Sequence, residues 1–155
     1  TGLVSNLARR PQGNDRAQVK GIYEGLCDVA IINNYYFGKL KYSEDPIQRE
    51  WAKSMRLTFP NQEEGDRGAH INISGGGVAK YSKNKQFAVR LLEFLSSSES
   101  QKMYSKINFE YPVNVQVSPS EELISWGDFR EDKISIEKIA QLSIDAQKII
   151  DRVGW

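Results

Sequence analysis

The sequence lacks several features that would each point to a particular class of protein. It contains one cysteine, Cys27, which excludes a disulfide within these residues and any multi-cysteine metal site. It contains one histidine, His70, which excludes a multi-histidine zinc site. No stretch approaches the roughly 20 consecutive apolar residues of a membrane-spanning helix. The net charge of +1 gives no electrostatic argument for nucleic acid or an anionic membrane as a partner.

Catalytic signatures are missing as well. The sequence has no nucleophile elbow and no HExxH motif, and its triple glycine at 75–77 matches neither the Walker nor the dinucleotide-binding pattern. His70 lies on an alternating segment without a visible catalytic partner and is interpreted as a half-buried structural residue. The acidic residues Glu63, Glu64 and Asp66 are interpreted as an exposed loop rather than a carboxylate metal site. We therefore do not expect an enzyme, and a substrate-dependent rate lost on His70→Ala would revive that class.

Helical and strand-like segments alternate along the 155 residues, which predicts the α/β class and about one domain. Helices are predicted after Asn14 or Asp15, at Asp45-Pro46 and after Ser135, because each begins with a capping residue. Gly154 is predicted to end the last helix. Strands are predicted at 28–33, 55–59 and 70–74.

Two adjacent tyrosines, Tyr35 and Tyr36, follow the predicted strand at 28–33. The apolar run at 29–32 indicates a strand buried on both faces, and two asparagines end it. Successive side chains of a strand point to opposite faces, so two phenols that serve one site must lie in a turn or in the first turn of a helix. Ligands of open α/β sheets bind just beyond the carboxyl ends of the strands. The pair is therefore the best functional lead in the sequence.

The residues alone leave two interpretations of this pair open. Packing is the more common role for such tyrosines and is favoured on that ground. The functional interpretation is chemically specific: a phenol has a pKa of about 10 and stays neutral unless a strong Lewis acid removes its proton. Hard anionic oxygen ligands suit hard, highly charged cations such as ferric iron. Two phenolates would offset two of its three charges and leave the rest to other ligands or a bound anion.

Several motifs together resemble one family. They are RRPQGND at 9–15, DVAIINNYYF at 28–37, HINISG at 70–75, KNK at 83–85, LLEFLS at 91–96, EYPVN at 110–114 and DRVGW at 151–155. This combination resembles the C-terminal half of periplasmic ferric-iron-binding proteins of bacterial ABC importers, especially the Fut/Idi group and more distantly the Fbp group. The likeness covers nearly the whole chain.

The resemblance implies a fold and a cargo. The fold is α/β, periplasmic binding protein-like class II, with two lobes and a hinge, of which this chain is only the C-terminal half. Residues 1–65 would belong to the C-terminal lobe, 66–116 to the N-terminal lobe, and 117–155 would return to the C-terminal lobe. The cargo is Fe(III), with a synergistic anion, and the protein would deliver it from the periplasm to an importer permease. No catalysis, nucleic acid or membrane span is implied.

The resemblance also implies a set of site residues. The family's paired tyrosines map onto Tyr35 and Tyr36 as metal ligands, while its other ligands lie upstream of this sequence. By the same resemblance, Asn14, Asp15 and Asn33 would lie behind the metal ligands or beside the anion, although a plain helix cap is the favoured role at 14–15. The remaining alternative is a related importer protein for an anion or a small organic ligand, in which the tyrosines stack on the ligand and no metal binds.

We also expect the chain to need a partner. Strands that belong to two incomplete sheets would leave unpaired edges and apolar faces exposed. The expected partner is the N-terminal half of the same protein, and the two together are called the complete protein below. We therefore expect that this chain does not fold alone.

Overall fold

The computed structural model of the protein describes residues 2–155 and is dominated by helices joined by loops. Within this range the elements in chain order are α1 (Gly2–Ser5), α2 (Asp15–Tyr23), α3 (Asn34–Lys41), α4 (Pro46–Lys53), α5 (Lys85–Leu95), α6 (Ser98–Met103), a π-helical turn (Tyr104–Asn108), α7 (Glu121–Ser125) and α8 (Ile136–Val153). The β pairing found in the described residues is one isolated parallel bridge between Ala69 and Glu131.

The predicted helix ends are confirmed. Asn14 caps α2, Asp45 caps α4 with Pro46 at its first position, and Ser135 caps α8. Each capping side chain accepts a hydrogen bond from a backbone N–H of the first turn, which satisfies a donor that has no partner inside the helix. Gly154 ends α8 with φ of 72°, a left-handed conformation that glycine adopts without steric cost.

Helices α2, α3 and α4 share one small core. Val19 of α2, Leu40 of α3 and Ala52 of α4 are buried, and Leu40 and Val19 are fully enclosed. Four partly buried side chains surround them: Ile32, Phe37, Trp51 and Met55. Burying a leucine side chain contributes about 1.5–3 kcal/mol, so this core holds α3 against both neighbouring helices.

An aromatic cluster, made of Phe37, Tyr42, Phe109 and Trp126, covers the second half of α3. The rings of Tyr42 and Phe109 are stacked, with centroids 5.6 Å apart and planes 10° apart. Trp126 packs edge-on against Phe37 at 5.9 Å and lies 6.3 Å from Phe109. Such aromatic pairs add about 0.5–1.5 kcal/mol beyond the area that they bury. The cluster joins α3 to α7 and to the segment that follows the π-helical turn.

Glu122 of α7 ties the end of α3 in place. Its carboxylate accepts hydrogen bonds from Lys41 Nζ at 2.7 and 2.8 Å, from the Tyr42 hydroxyl at 2.6 Å and from Trp126 Nε1 at 2.9 Å. Burial disfavours the charged carboxylate, but these hydrogen bonds and the charge of Lys41 outweigh burial and lower the pKa of Glu122. The hydrogen bond between Lys41 and Glu122 raises the pKa of Lys41. The ionised carboxylate is therefore the form that the fold favours.

The prediction of a strand buried on both faces at 28–33 is wrong for this chain. Val29 is 80% exposed and Ile31 is 73% exposed. A strand is stabilised when its N–H and C=O groups pair with a neighbour, and residues 2–155 place no such neighbour beside this segment. The segments predicted as strands at 55–59 and 70–74 likewise form no ladder. The sheet of the predicted α/β fold is thus not assembled among the described residues.

Two of the longer helices contribute no buried residue. On α8, Leu142 is 42% exposed and Ile149 is 56% exposed. On α5, Phe87 is 66% exposed and Leu91 is 56% exposed. Each face is apolar at helical spacing, yet residues 2–155 leave it largely uncovered. None of the helices described combines the length and apolarity needed to cross a membrane.

We expect stability to fall as the pH is lowered through the folded-state pKa of Glu122. A carboxylate whose pKa is depressed by folding stabilises the protein above its unfolded pKa of about 4.3 and loses this contribution as it is protonated in the folded state. Glu122→Gln should reduce the free energy of unfolding at neutral pH by about 1–3 kcal/mol and flatten its dependence on acidic pH. Thermal unfolding of the complete protein between about pH 3 and pH 7 measures both effects.

The matched control for this substitution is Glu121→Gln, which removes the same charge one residue earlier on α7, at an exposed position. It should leave both the stability and its pH dependence close to wild type. A Glu122→Gln variant that keeps the wild-type pH profile would contradict the role assigned to this carboxylate.

Candidate metal centre

Tyr35 and Tyr36 lie in the first turn of α3. The capping residue Asn33 is extended, with φ of −73° and ψ of 133°, and the helix starts at Asn34. The chain thus turns into a helix where the sequence predicted, so two successive side chains can serve one site. The two rings lie side by side, with centroids 4.4 Å apart and planes 30° apart, and both residues are half-buried.

The predicted residues Asp15 and Asn33 meet beside this pair. Asp15 Oδ1 accepts hydrogen bonds from the backbone N–H of Asn33 at 2.6 Å and from Asn33 Nδ2 at 3.1 Å. Asn33 Oδ1 in turn accepts a hydrogen bond from Asn72 Nδ2 at 3.2 Å. Asn14 does not join this network, because it is exposed and its side chain accepts from Ala17 N at 3.3 Å as a helix cap. Asp15 therefore connects the start of α2 to the start of α3.

Two cationic side chains lie against the tyrosine rings. The guanidinium carbon of Arg16 is 5.5 Å from the centroid of Tyr36, and Lys39 Nζ is 4.9 Å from the centroid of Tyr35. A cation over a ring face is attracted to it by about 0.5–2 kcal/mol. Arg16 Nε is buried and has no hydrogen-bond partner among the described residues. The site can therefore accommodate an anionic group beside Tyr36.

The proton of Tyr35 is held more tightly than that of an ordinary phenol. The neighbouring Tyr36 hydroxyl, acting as a hydrogen-bond partner, is the main cause that raises the pKa of Tyr35 to about 12. Partial burial adds to this, and so do the negative charges of Asp15 and Glu110. Tyr35 is therefore protonated at neutral pH, and a ligand that needs its phenolate must displace the proton. Only a strong Lewis acid has the charge to do so.

The other metal sites considered from the sequence are not assembled in the described residues. His70 is exposed, which corrects the expectation that it is half-buried, because the strand expected to hold it has no partner. Residues 2–155 contain no group of three or more His, Cys, Asp or Glu side chains placed to hold a metal ion.

Sequence reasoning missed four residues that surround the pair. Lys39 is four residues after Tyr35, a helical spacing that places both on one face, so a helix prediction for 34–41 would have found it. Arg16 directly follows the predicted capping position. Asn72 and Glu110 come from distant segments, and no local pattern in the sequence connects them with the pair.

Comparison with known proteins finds relatives that bind iron, although no protein-family profile matches the chain. Iron uptake protein A1 of Synechocystis sp. is 42% identical over 154 residues, which are 99% of this chain and 42% of that protein. A solved structure described as Trichodesmium (IdiA) (FutA) in complex with iron and citrate ligands has a TM-score of 0.91 and 44% identity, over 99% of this chain and 48% of that one. The Fe(3+)-binding periplasmic protein of Serratia marcescens is 24% identical over 86% of this chain and 36% of its own length.

The chain spans less than half the length of each of these three proteins. This proportion is consistent with the C-terminal half that the sequence predicts. Its structural neighbours are ferric-binding proteins, so the fold is periplasmic binding protein-like. The predicted resemblance is confirmed: along nearly its whole length, this chain is homologous to part of the iron uptake proteins of the FutA type and of the ferric-iron-binding proteins.

Proposed function

We propose that the complete protein is the substrate-binding component of an iron ABC importer and that Tyr35 and Tyr36 bind Fe(III) as phenolates. The observation that carries the proposal is the pair of half-buried tyrosines at a helix start, whose ring centroids lie 4.4 Å apart. Phenolates are hard anionic donors and suit a hard trivalent cation. The names of the relatives, which refer to iron uptake and ferric iron, support the same cargo.

The surroundings of the pair suit such a cargo. Asp15 and Asn33 position the ligands rather than bind the metal. Their hydrogen bonds hold the start of α3 and therefore both phenols in place. Asn14 is occupied as a helix cap, which supports only a structural role. Two phenolates leave part of the ferric charge uncompensated, so a synergistic anion and ligands from outside this chain complete the shell. The relative described with iron and citrate supports the anion.

The proposed activity is capture and release, without chemical turnover. The relatives are named for uptake or binding, which supports a transport protein rather than an enzyme. We place the protein in the periplasm, where one relative is named as acting, and assign an importer permease as its partner. An importer binding protein holds its cargo between two lobes, and the tyrosine pair would form one wall of that site.

We further propose the class II, two-lobed arrangement with the lobe segments 1–65, 66–116 and 117–155. Two observations support it. Helices α2, α3 and α4 share one core inside the first segment, and α7 of the third segment packs on α3 through Glu122 and Trp126. Helix α5, inside the second segment, adds no buried residue to that core, whereas Phe109, seven residues before the proposed boundary at 116, already packs on α3. The hinge then lies where the chain passes between the segments.

The alternative cargo is an anion or a small organic ligand without metal. The two neighbouring rings beside the unpartnered Arg16 Nε favour it, because such a site can both pack on a ligand and bind a carboxylate. It is less favoured, because the names of the relatives refer to iron. Titration calorimetry of the complete protein with citrate alone and with Fe(III) separates the two: tight binding without metal would support the alternative.

We expect the complete protein to become coloured when Fe(III) is added, because iron–phenolate complexes absorb visible light. Tyr35→Phe combined with Tyr36→Phe should abolish this absorption band and weaken Fe(III) binding by more than about a hundredfold, since outer-shell groups alone cost about 10–100-fold in metal affinity. Absorbance titration against a competing chelator measures both quantities.

The control for this experiment is Tyr81→Phe, which removes a hydroxyl from a tyrosine that is 86% exposed. It should keep the colour and the affinity of the wild type. If the double variant at Tyr35 and Tyr36 also keeps them, the assignment of the pair as metal ligands is wrong.

The apolar surface of this chain supports the N-terminal half as its partner. Val29, Ile31 and Val115 are 80%, 73% and 99% exposed, and the apolar faces of α5 and α8 are largely uncovered. Exposed apolar surface of this extent is typical of an interaction surface rather than of a monomer. Each relative is more than twice as long as the matched segment. We therefore propose that the remaining half of such a chain covers this apolar surface.

We expect the 155-residue chain on its own to self-associate and to unfold without a cooperative transition. Co-expression with the N-terminal half should give a one-to-one complex that melts cooperatively, because the half covers the apolar faces. Sedimentation velocity and thermal unfolding measure these outcomes. Ile31→Asp should weaken the complex, since it places a charge on a segment that the half would bury. A monomeric, cooperatively melting chain would contradict the proposal.

A further inference from the structure

We propose that Phe109 is a positioning residue for the tyrosine pair, acting through a direct contact between its ring and the backbone of α3 at Gly38. This inference rests on the proposed function, because the property that it sets is the geometry of the two ligands. Phe109 is 73 positions after Tyr36, and no sequence pattern around it indicates a connection with the tyrosine pair.

The ring of Phe109 lies so close to Gly38 that no residue with a Cβ atom would fit at position 38 without a shift of the ring or the helix. A Cβ atom added to Gly38 would lie 2.3 Å from Phe109 Cγ and within 2.7 Å of both Cδ atoms. The ring therefore rests directly on the helix backbone, and glycine is required there for steric reasons rather than for its backbone freedom. Gly38 is three residues after Tyr35, so the contact and the first ligand share one face of the helix.

Phe109 is held in an uncommon conformation. It has φ of 59° and ψ of 39°, a left-handed backbone that is unfavourable for a bulky residue, and it directly follows the π-helical turn Tyr104–Asn108. Its side chain is nonetheless buried, at 7% exposure, and is stacked on Tyr42. Such strain persists only where the surroundings over-determine it, and it is concentrated at functional sites. The ring of Phe109 is thus held in one position.

The contact has a direct consequence for the pair. It limits the rotation of α3 about its own axis, and this rotation decides where the phenols of Tyr35 and Tyr36 point.

The test is the Fe(III) titration of the complete protein that carries Gly38→Ala. We expect the added methyl group to displace Phe109 or to rotate α3, and we expect the affinity to fall by about tenfold or more with a shifted iron–phenolate band, because small displacements of ligands are costly. Adding Phe109→Leu to Gly38→Ala should recover part of the loss, since the smaller side chain makes room for the methyl group.

The matched control is Gly21→Ala. Gly21 is also a buried helical glycine, but a Cβ there would meet Cys27 Sγ at 3.5 Å, an ordinary contact. This variant should keep the wild-type band and affinity. A purely structural role for Phe109 would lower the melting temperature of Gly38→Ala and leave the band position and the affinity of the folded protein unchanged, and that result would overturn the inference.

Two further outcomes are assigned in advance. If Gly38→Ala does not fold, Phe109→Leu alone decides: a folded variant with wild-type affinity and band position overturns the inference, and one with a weaker, shifted band supports it.

If the wild-type protein itself gives no iron–phenolate band, the proposed function is wrong, and the role of Phe109 that rests on it is wrong as well. A wild-type band together with an unaffected Gly38→Ala variant overturns only the inference.

Discussion

The rotation of α3 about its own axis is the constraint on which the site depends. Two neighbouring side chains of a helix point about 100° apart, so they serve one site only when the helix is held in one orientation. This helix is held at three levels. Asp15 binds its start through Asn33, Leu40 is enclosed in the core, and Glu122 binds its end. The three contacts are of different kinds, so a substitution that removes one of them leaves the other two in place.

The features that the sequence predicted are local ones. Asn14, Asp45 and Ser135 cap helices because a short polar side chain reaches the first turn of its own segment. The turn into a helix at Tyr35 and Tyr36 follows from the geometry of neighbouring residues in the same way. The residue types alone left the role of the pair open between packing and metal binding. The family resemblance added ferric iron as the expected cargo.

The features that the sequence did not predict depend on distant partners. The segment 28–33 has the composition of a buried strand, but a strand forms only beside another, and the described residues supply none. The contact of Gly38 with Phe109 and the charge of Glu110 on Tyr35 join segments about 70 residues apart. A glycine in a helix and a phenylalanine in a loop carry no sign of their partner in a single sequence.

Under the proposed function, metal capture is an exchange reaction, because Tyr35 carries its proton at neutral pH. A cation that takes both phenolates as ligands releases two protons to the solvent, and these protons compete with it for the same oxygens. The apparent affinity of such a pair therefore falls about a hundredfold for each unit by which the pH is lowered while both phenols of the free site carry their protons. Under the proposed function, the acidity of the compartment thus sets how tightly the cargo is held, and local acidification provides a driving force for its release.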